Sequence, residues 1–198
     1  MKIVMTVSNP FKPDPRVYKE AKSLVRAGHN VYVIAWDREG KYPKSETIDG
    51  INVLRIGPKA SYGYRMVVGL PVFYLNALRI ILRLKPDVVH THDFDTAILG
   101  FALKLLKGTM WVYDIHDLYF TFFSMETEKE TFFGKIVKVF DLFFAKYATS
   151  VIVATESIGG KSEGLREYYI RGGISPDKIT TIWNTPEIGA CLVSPPVI

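Results

Sequence analysis

Met110-Trp111-Val112-Tyr113-Asp114-Ile115-His116-Asp117 reads as a short buried strand that ends in a histidine and a carboxylate. A near-continuous apolar run of this length suits a strand covered on both faces. Its ending projects a titratable imidazole from the carboxyl edge of a sheet, which is where open α/β folds bind ligands. A second run, Asp87-Val88-Val89-His90, is followed by Thr91-His92-Asp93, so three of the 4 histidines close strands. His29, the remaining one, falls in a helix-to-strand turn.

Outward from these two strands the chain alternates. Residues 2–7 form a first apolar strand, and Asp14-Pro15 then opens a helix that Gly28 stops, because Asp caps, Pro suits the first turn and Gly suits the end. Strands are predicted at 31–36, 51–56 (entered through the Asp49-Gly50 turn), 87–90, 110–115, 150–154 and 179–183. Helices are predicted at 66–84, 94–106, 132–147 and, broken by glycines, 157–170, with Asp95 as the expected N-cap of the second of these. Buried strands separated by helices imply a mostly parallel sheet with right-handed crossovers. The expected fold is a Rossmann-like three-layer α/β/α sandwich.

Composition narrows the class. The 198 residues are 48% hydrophobic and 23% charged, as in an ordinary globular domain with a real core. A net charge of +5 without long basic runs favours an acidic partner, whether phosphate, an anionic lipid surface or nucleic acid, and decides among none of them; nucleic acid is not among the expected partners. The single cysteine, Cys191, rules out an intrachain disulfide and fits the cytosol, and the strand-like N-terminus carries no export signal. Residues 66–84 place Arg79 and Arg83 four apart and include Pro71 and Asn76, which reads as a packed helix and not as a membrane span. The turn after the first strand, Ser8-Asn9-Pro10-Phe11-Lys12-Pro13, lacks glycine, so the dinucleotide fingerprint is missing; no phosphate-binding P-loop and no nucleophile elbow occur either.

Five segments together resemble family 4 glycosyltransferases. Asp14-Pro15-Arg16-Val17-Tyr18-Lys19-Glu20-Ala21, followed by Gly28-His29-Asn30-Val31, resembles their first helix and second strand. Asp87-Val88-Val89-His90-Thr91-His92-Asp93 and Val112-Tyr113-Asp114-Ile115-His116-Asp117 resemble two of their strand ends. Val151-Ile152-Val153-Ala154 resembles the strand that follows, and Ser175-Pro176-Asp177-Lys178-Ile179 with Ile182-Trp183-Asn184 resembles the passage into the second domain. The resemblance implies the N-terminal half of a GT-B fold: residues 1–184 as the acceptor-side domain, and 185–198 as a linker or truncated lead-in to a missing C-terminal domain that binds the nucleotide-sugar. It implies transfer from a nucleotide-diphosphate sugar to a hydroxyl on a glycan or lipid-linked acceptor, with retention and with no tightly bound cofactor or metal. This chain alone would then be inactive.

The same resemblance assigns site residues. His116 is the catalytic candidate, facing the donor by positioning and charge, with Asp117 orienting its ring; the plainer alternative is a satisfied core histidine and a turn cap. His92 and Asp93 line the acceptor pocket or cap the following helix. Asp14 and Arg16 begin the first helix, where Arg16 meets an acceptor phosphate or forms a salt bridge. Asn184 marks the interdomain hinge or a turn. Two rivals remain: a metal-dependent hydrolase using His90, His92 and His116 with Asp93 and Asp95, and a non-catalytic sugar- or nucleotide-binding subunit. Residues 132–147, with Lys135, Lys138 and Lys146 among phenylalanines, are read as a core-packing helix or as a peripheral contact with anionic lipid.

Overall fold

The computed structural model describes residues 1–12, 14–60, 64–123, 131–157 and 163–185. Most of the expected 185–198 lead-in, from residue 186 onward, lies outside them. Eight strands, β1 (Lys2–Val7), β2 (Asn30–Trp36), β3 (Ser45–Ile48), β4 (Ile51–Ile56), β5 (Val88–His92), β6 (Met110–Ile115), β7 (Ser150–Val153) and β8 (Ile179–Thr181), form one sheet in the order β3-β4-β2-β1-β5-β6-β7-β8. All pairs are parallel except β3 with β4. The helices are α1 (Pro15–Arg26), α2 (Tyr64–Leu84), α3 (Asp93–Lys107), α4 (Phe132–Tyr147) and α5 (Leu165–Arg171).

Strand alternation sorts the core into two layers. Ile3, Met5, Val31 and Val33 pack with Val17 and Ala21 of α1 on one face. Val4, Ile34 and Val89 pack with Phe73, Ala77 and Ile81 of α2 and with Leu99 and Leu103 of α3 on the other. Trp111, Tyr113 and Val151 continue that second face against Phe144 and Ala145 of α4 and Tyr169 of α5. Beyond the reach of α1, the first face is thinly covered: Val88, Val112 and Ile152 line a cleft of about 410 Å³ shared with α1 and residues 182–185.

Local chemistry explains the element ends. Asp14 accepts the Val17 amide at 3.1 Å, capping α1 with Pro15 in the first turn. Gly108 closes α3 in the left-handed region, its N–H bonded to Lys104 O at 2.9 Å. Thr131 caps α4 by accepting the Gly134 amide at 3.1 Å. Asp49 (φ 48°) and Gly50 (φ 83°) make a two-residue hairpin between β3 and β4.

The sequence reading needs several corrections. It missed β3. The helix expected over 157–170 begins only at Leu165, with 158–162 outside the described residues. Asp95 does not cap α3, which starts at Asp93 after a His92 cap residue; the Asp95 carboxylate instead accepts a hydrogen bond from the Ser8 hydroxyl. Pro71 sits inside α2 without ending it. Among the described residues, no helix is long and apolar enough to cross a membrane.

Candidate functional site

The strand order reverses between β1 and β5, since the chain runs outward from β1 through β2 on one side and from β5 through β8 on the other. That switch point leaves a crevice at the carboxyl edge, and the histidines converge there. His90 and His92 alternate with Thr91 along β5 and therefore share a face. Asp114 on β6 lies in register with His92, and His116 follows two residues later. Across from them α1 presents Arg16 and Glu20, one helical turn apart.

The result is a buried polar cluster built on Asp114, which is fully buried. Its Oδ1 accepts the Arg16 Nη2–H at 2.9 Å. Its Oδ2 faces three imidazole nitrogens: His92 Nδ1 at 3.3 Å, His116 Nε2 at 3.4 Å and His90 Nε2 at 3.5 Å. The His90 and His92 rings stack at 4.4 Å, and His92 Nδ1 stands 3.3 Å from His116 Nε2. Arg16 also reaches Glu20 Oε1 with Nε at 3.3 Å and donates from Nη1 to Ile182 O at 3.2 Å.

Burial dominates the protonation pattern. It pushes Glu20 up to about 9, reinforced by the nearby charge of Asp114, so Glu20 is protonated at neutral pH. It pushes His92 down to about 3, with His90 adding to the effect, so that ring is neutral. Burial works against the Asp114 anion as well, but hydrogen bonding to His116, His90 and His92 holds its carboxyl well below the usual range. His116 is raised: burial opposes its charged form, yet the bond to Asp114 and the charge of Asp93 outweigh it.

Asp93 is turned toward His116. Its Oδ1 accepts the His116 backbone N–H at 2.9 Å, and its Oδ2 lies 3.3 Å from His116 Nδ1. To do this Asp93 adopts φ +61° at the first position of α3, a strained conformation of the kind found at functional sites. The carboxylates that orient the His116 ring are thus Asp93 and Asp114. Asp117 is exposed. It lies at a bend beyond Ile115, the last residue of β6, and faces solvent.

The remaining expected residues are distributed as follows. Asp14 caps α1 and accepts the Asn9 side-chain amide at 2.7 Å. Arg16 is buried in the cluster as a salt bridge rather than offered to an acceptor phosphate. His92 is buried and not in an open pocket. Asn184 is exposed beside α1, with Lys19 Nζ at 3.4 Å from its Oδ1. Sequence reasoning missed Glu20 and Asp114 as members of the site; the i,i+4 pair Arg16/Glu20 and the two-residue step from Asp114 to His116 were the available signals. A separate polar cleft of about 460 Å³ lies over the ends of β1 and β2, lined by Pro10, Asp37, Arg38, Glu39, Lys41, Tyr42 and Ala60.

As for metal, the donors that converge within 4.8 Å among the described residues are Glu20, His90, His92 and Asp114, not the Asp93 and Asp95 suggested by sequence. Their set could hold a cation, but the Arg16 guanidinium already sits against both acidic side chains.

A mostly parallel sheet with its polar site at the switch point, where buried histidines meet an arginine-bearing first helix, describes a Rossmann-like domain. The sequence model of Glycosyltransferase Family 4 matches residues 16–185, and the chain belongs to that family. An uncharacterised glycosyltransferase of Methanocaldococcus jannaschii is 33% identical over 98 residues, which is 49% of this chain and 25% of that protein. Among solved structures, sucrose-phosphate synthase from Thermosynechococcus elongatus superposes with a TM-score of 0.71 at 16% identity, over 92% of this chain and 48% of that one. Anabaena HepE, solved in complex with UDP and glucose, gives 0.56 at 15% identity, over 96% of this chain and 46% of that one. At such identities the superpositions speak to the fold, that of the N-terminal half of GT-B glycosyltransferases. The chain spans about half the length of these two structures and a quarter of the curated relative.

Proposed function

We propose that the chain is the acceptor-side half of an enzyme that transfers a sugar from a nucleotide-diphosphate sugar to a hydroxyl group on a glycan or lipid-linked acceptor, with retention, on the cytoplasmic side of the membrane. The observation that carries this reading is His116, at the carboxyl edge of a family 4 domain and held between Asp93 and Asp114. Both ring nitrogens face carboxylates, so the ring is poorly placed to act as a general base. What it brings to the crevice is a positioned ring whose charged form is favoured by the two carboxylates, suited to stabilise the negative charge that develops on a departing diphosphate. The nucleotide itself is held by a second domain beyond Asn184, and no tightly bound cofactor takes part. The cleft over β1 and β2, with Arg38 and Tyr42, suits a hydroxyl-rich acceptor.

The test is a panel of nucleoside-diphosphate sugars offered to the whole gene product and to residues 1–198 alone. Donor should be consumed by the former and left intact by the latter, with the product's anomeric configuration read by NMR. In the whole enzyme, His116→Gln should lower kcat by roughly a hundredfold while melting stays cooperative; unfolding instead would make His116 a core residue. Transfer by residues 1–198 alone would overturn the half-site reading. Failure of the whole product to consume any donor would overturn the transferase reading.

A further inference from the structure

Helix α4 turns a wholly apolar face away from the core. At 100° per residue, Phe132, Phe133, Ile136, Val139, Phe140 and Phe143, running on to Tyr147, fall within an arc of about 120°. All are exposed, from 36% at Phe143 to 74% at Phe132. Of the residues that α4 buries, Gly134, Asp141 and Ala145 lie on the opposite side and Phe144 borders the stripe. Single exposed apolar residues are ordinary, but a continuous stripe of this size marks an interaction surface.

The charges beside the stripe point to the partner. Asp141 is the only acid in α4 and is buried. Lys135 and Lys146 are exposed along one edge of the stripe, and Lys138, on the same side, places its Nζ 5.2 Å from the centre of the Phe120 ring. At the far end, Lys104 of α3 bonds Tyr147 O at 2.7 Å, next to Leu105 and Leu106, which are 67% and 61% exposed. An aromatic and aliphatic face rimmed by lysines, with no exposed carboxylate on the helix, is the pattern of a helix lying in the interface of an anionic membrane. A second copy of the chain fits it less well, because a two-fold interface through this helix would set lysines near their own copies with no acid on α4 to answer them.

We propose that this face of α4 docks the protein on an anionic lipid bilayer, with the helix lying in the plane of the surface. Because α4 joins the parallel strands β6 and β7, it starts at the carboxyl edge that carries His116. Phe132 and Phe133 thus sit at the end of the stripe where a membrane-presented acceptor would approach. The docking surface stands apart from the transferase reading, since vesicle binding requires no turnover.

Flotation of the 198-residue chain with phosphatidylcholine vesicles, with and without phosphatidylglycerol, tests it. The protein should float with the anionic vesicles and much less with the neutral ones. Phe132→Ser/Phe133→Ser and Lys135→Glu/Lys146→Glu should each weaken binding about tenfold or more, with helical circular dichroism unchanged because every substituted side chain is exposed. As a second readout, Phe132→Trp should add a tryptophan whose emission shifts to the blue with anionic vesicles. No flotation with anionic vesicles, or equal flotation of wild type and both variants, would overturn the proposal. A concentration-dependent dimer abolished by Phe140→Ser would overturn it too, by assigning the stripe to a second copy.

Discussion

Asp93 grips His116 at two points, accepting its backbone N–H through Oδ1 at 2.9 Å and facing its Nδ1 through Oδ2 at 3.3 Å. The first contact fixes where the chain leaves β6, and the second supplies part of the field that favours the ring's charged form. Burial pushes Asp93 up to about 7, with the charge of His116 pulling the other way.

Asp93→Asn separates these functions. The amide oxygen still accepts the His116 N–H, while the charge is lost. His116 should then titrate at lower pH than in the wild type, followed through its imidazole C–H resonances in NMR. The sign for stability follows. A histidine raised in the folded state adds stability that is complete below its ordinary value near 6.5 and is lost as pH rises through the folded value. Asp93→Asn should shrink that contribution. An unchanged titration would show that Asp114 alone sets the ring.

Glu20 governs the alkaline side. A carboxyl raised from 4.5 to about 9 binds a proton in the folded chain that the unfolded chain has released, so stability falls as pH climbs through that window. One such proton is worth at most about 1.4 kcal/mol per pH unit. Glu20→Gln removes the proton from the balance, and urea titrations between about pH 5 and 9 should show a flatter decline than the wild type. Parallel slopes would show that Glu20 is ionised in the native state.

Asp141 is a buried carboxylate that accepts the Tyr113 hydroxyl at 2.5 Å and the Tyr169 hydroxyl, tying α4 to β6 and α5. Asp141→Ala leaves two buried phenols without an acceptor and should cost about 2–4 kcal/mol in denaturant unfolding. Tyr169→Phe should cost less, because the carboxylate keeps Tyr113. If the single and double variants add without coupling, the three groups do not act as one network.

Gly100 of α3 is required by close approach. A Cβ built there would stand 2.1 Å from Nε1 of the Trp111 indole, whose N–H donates to Thr91 Oγ1 at 2.8 Å. Trp111 is fully buried and has nowhere to retreat. Gly100→Ala should therefore destabilise by about 1–3 kcal/mol despite the better helix propensity of alanine, as measured by thermal or urea unfolding.

The sheet was legible in sequence wherever burial leaves a mark. Strands such as Lys2–Val7 and Met110–Ile115, covered on both faces or nearly so, write continuous apolar runs. Ser45–Ile48 does not: this antiparallel edge strand alternates exposed and half-buried residues, so only its Asp49-Gly50 turn was visible. The histidines at the strand ends were also legible. Their partners were not, because Glu20 belongs to a helix and Asp114 to a strand separated from it by 94 positions in the chain (114 minus 20), and only the side chains that α1 extends toward the ends of β5 and β6 bring them together. In α4 the periodicity was plain, yet periodicity cannot say which face looks inward. There the aromatic stripe proved to be the outer one.

Arg16 has a consequence for how the chain acquires its structure. Its guanidinium bonds Asp114, 98 residues away, and Ile182, 166 residues away. Contacts of such separation close late, since the entropy of a long loop must be met first. As the polypeptide leaves the ribosome, α1 and β1 can form early, but the charge of Arg16 lacks its carboxylate until β6 emerges and its carbonyl until residue 182 does. Nascent chains cut between these two points should hold the amino-terminal helix loosely, and protease protection of α1 should arrive in two steps, at the lengths that release Asp114 and Ile182.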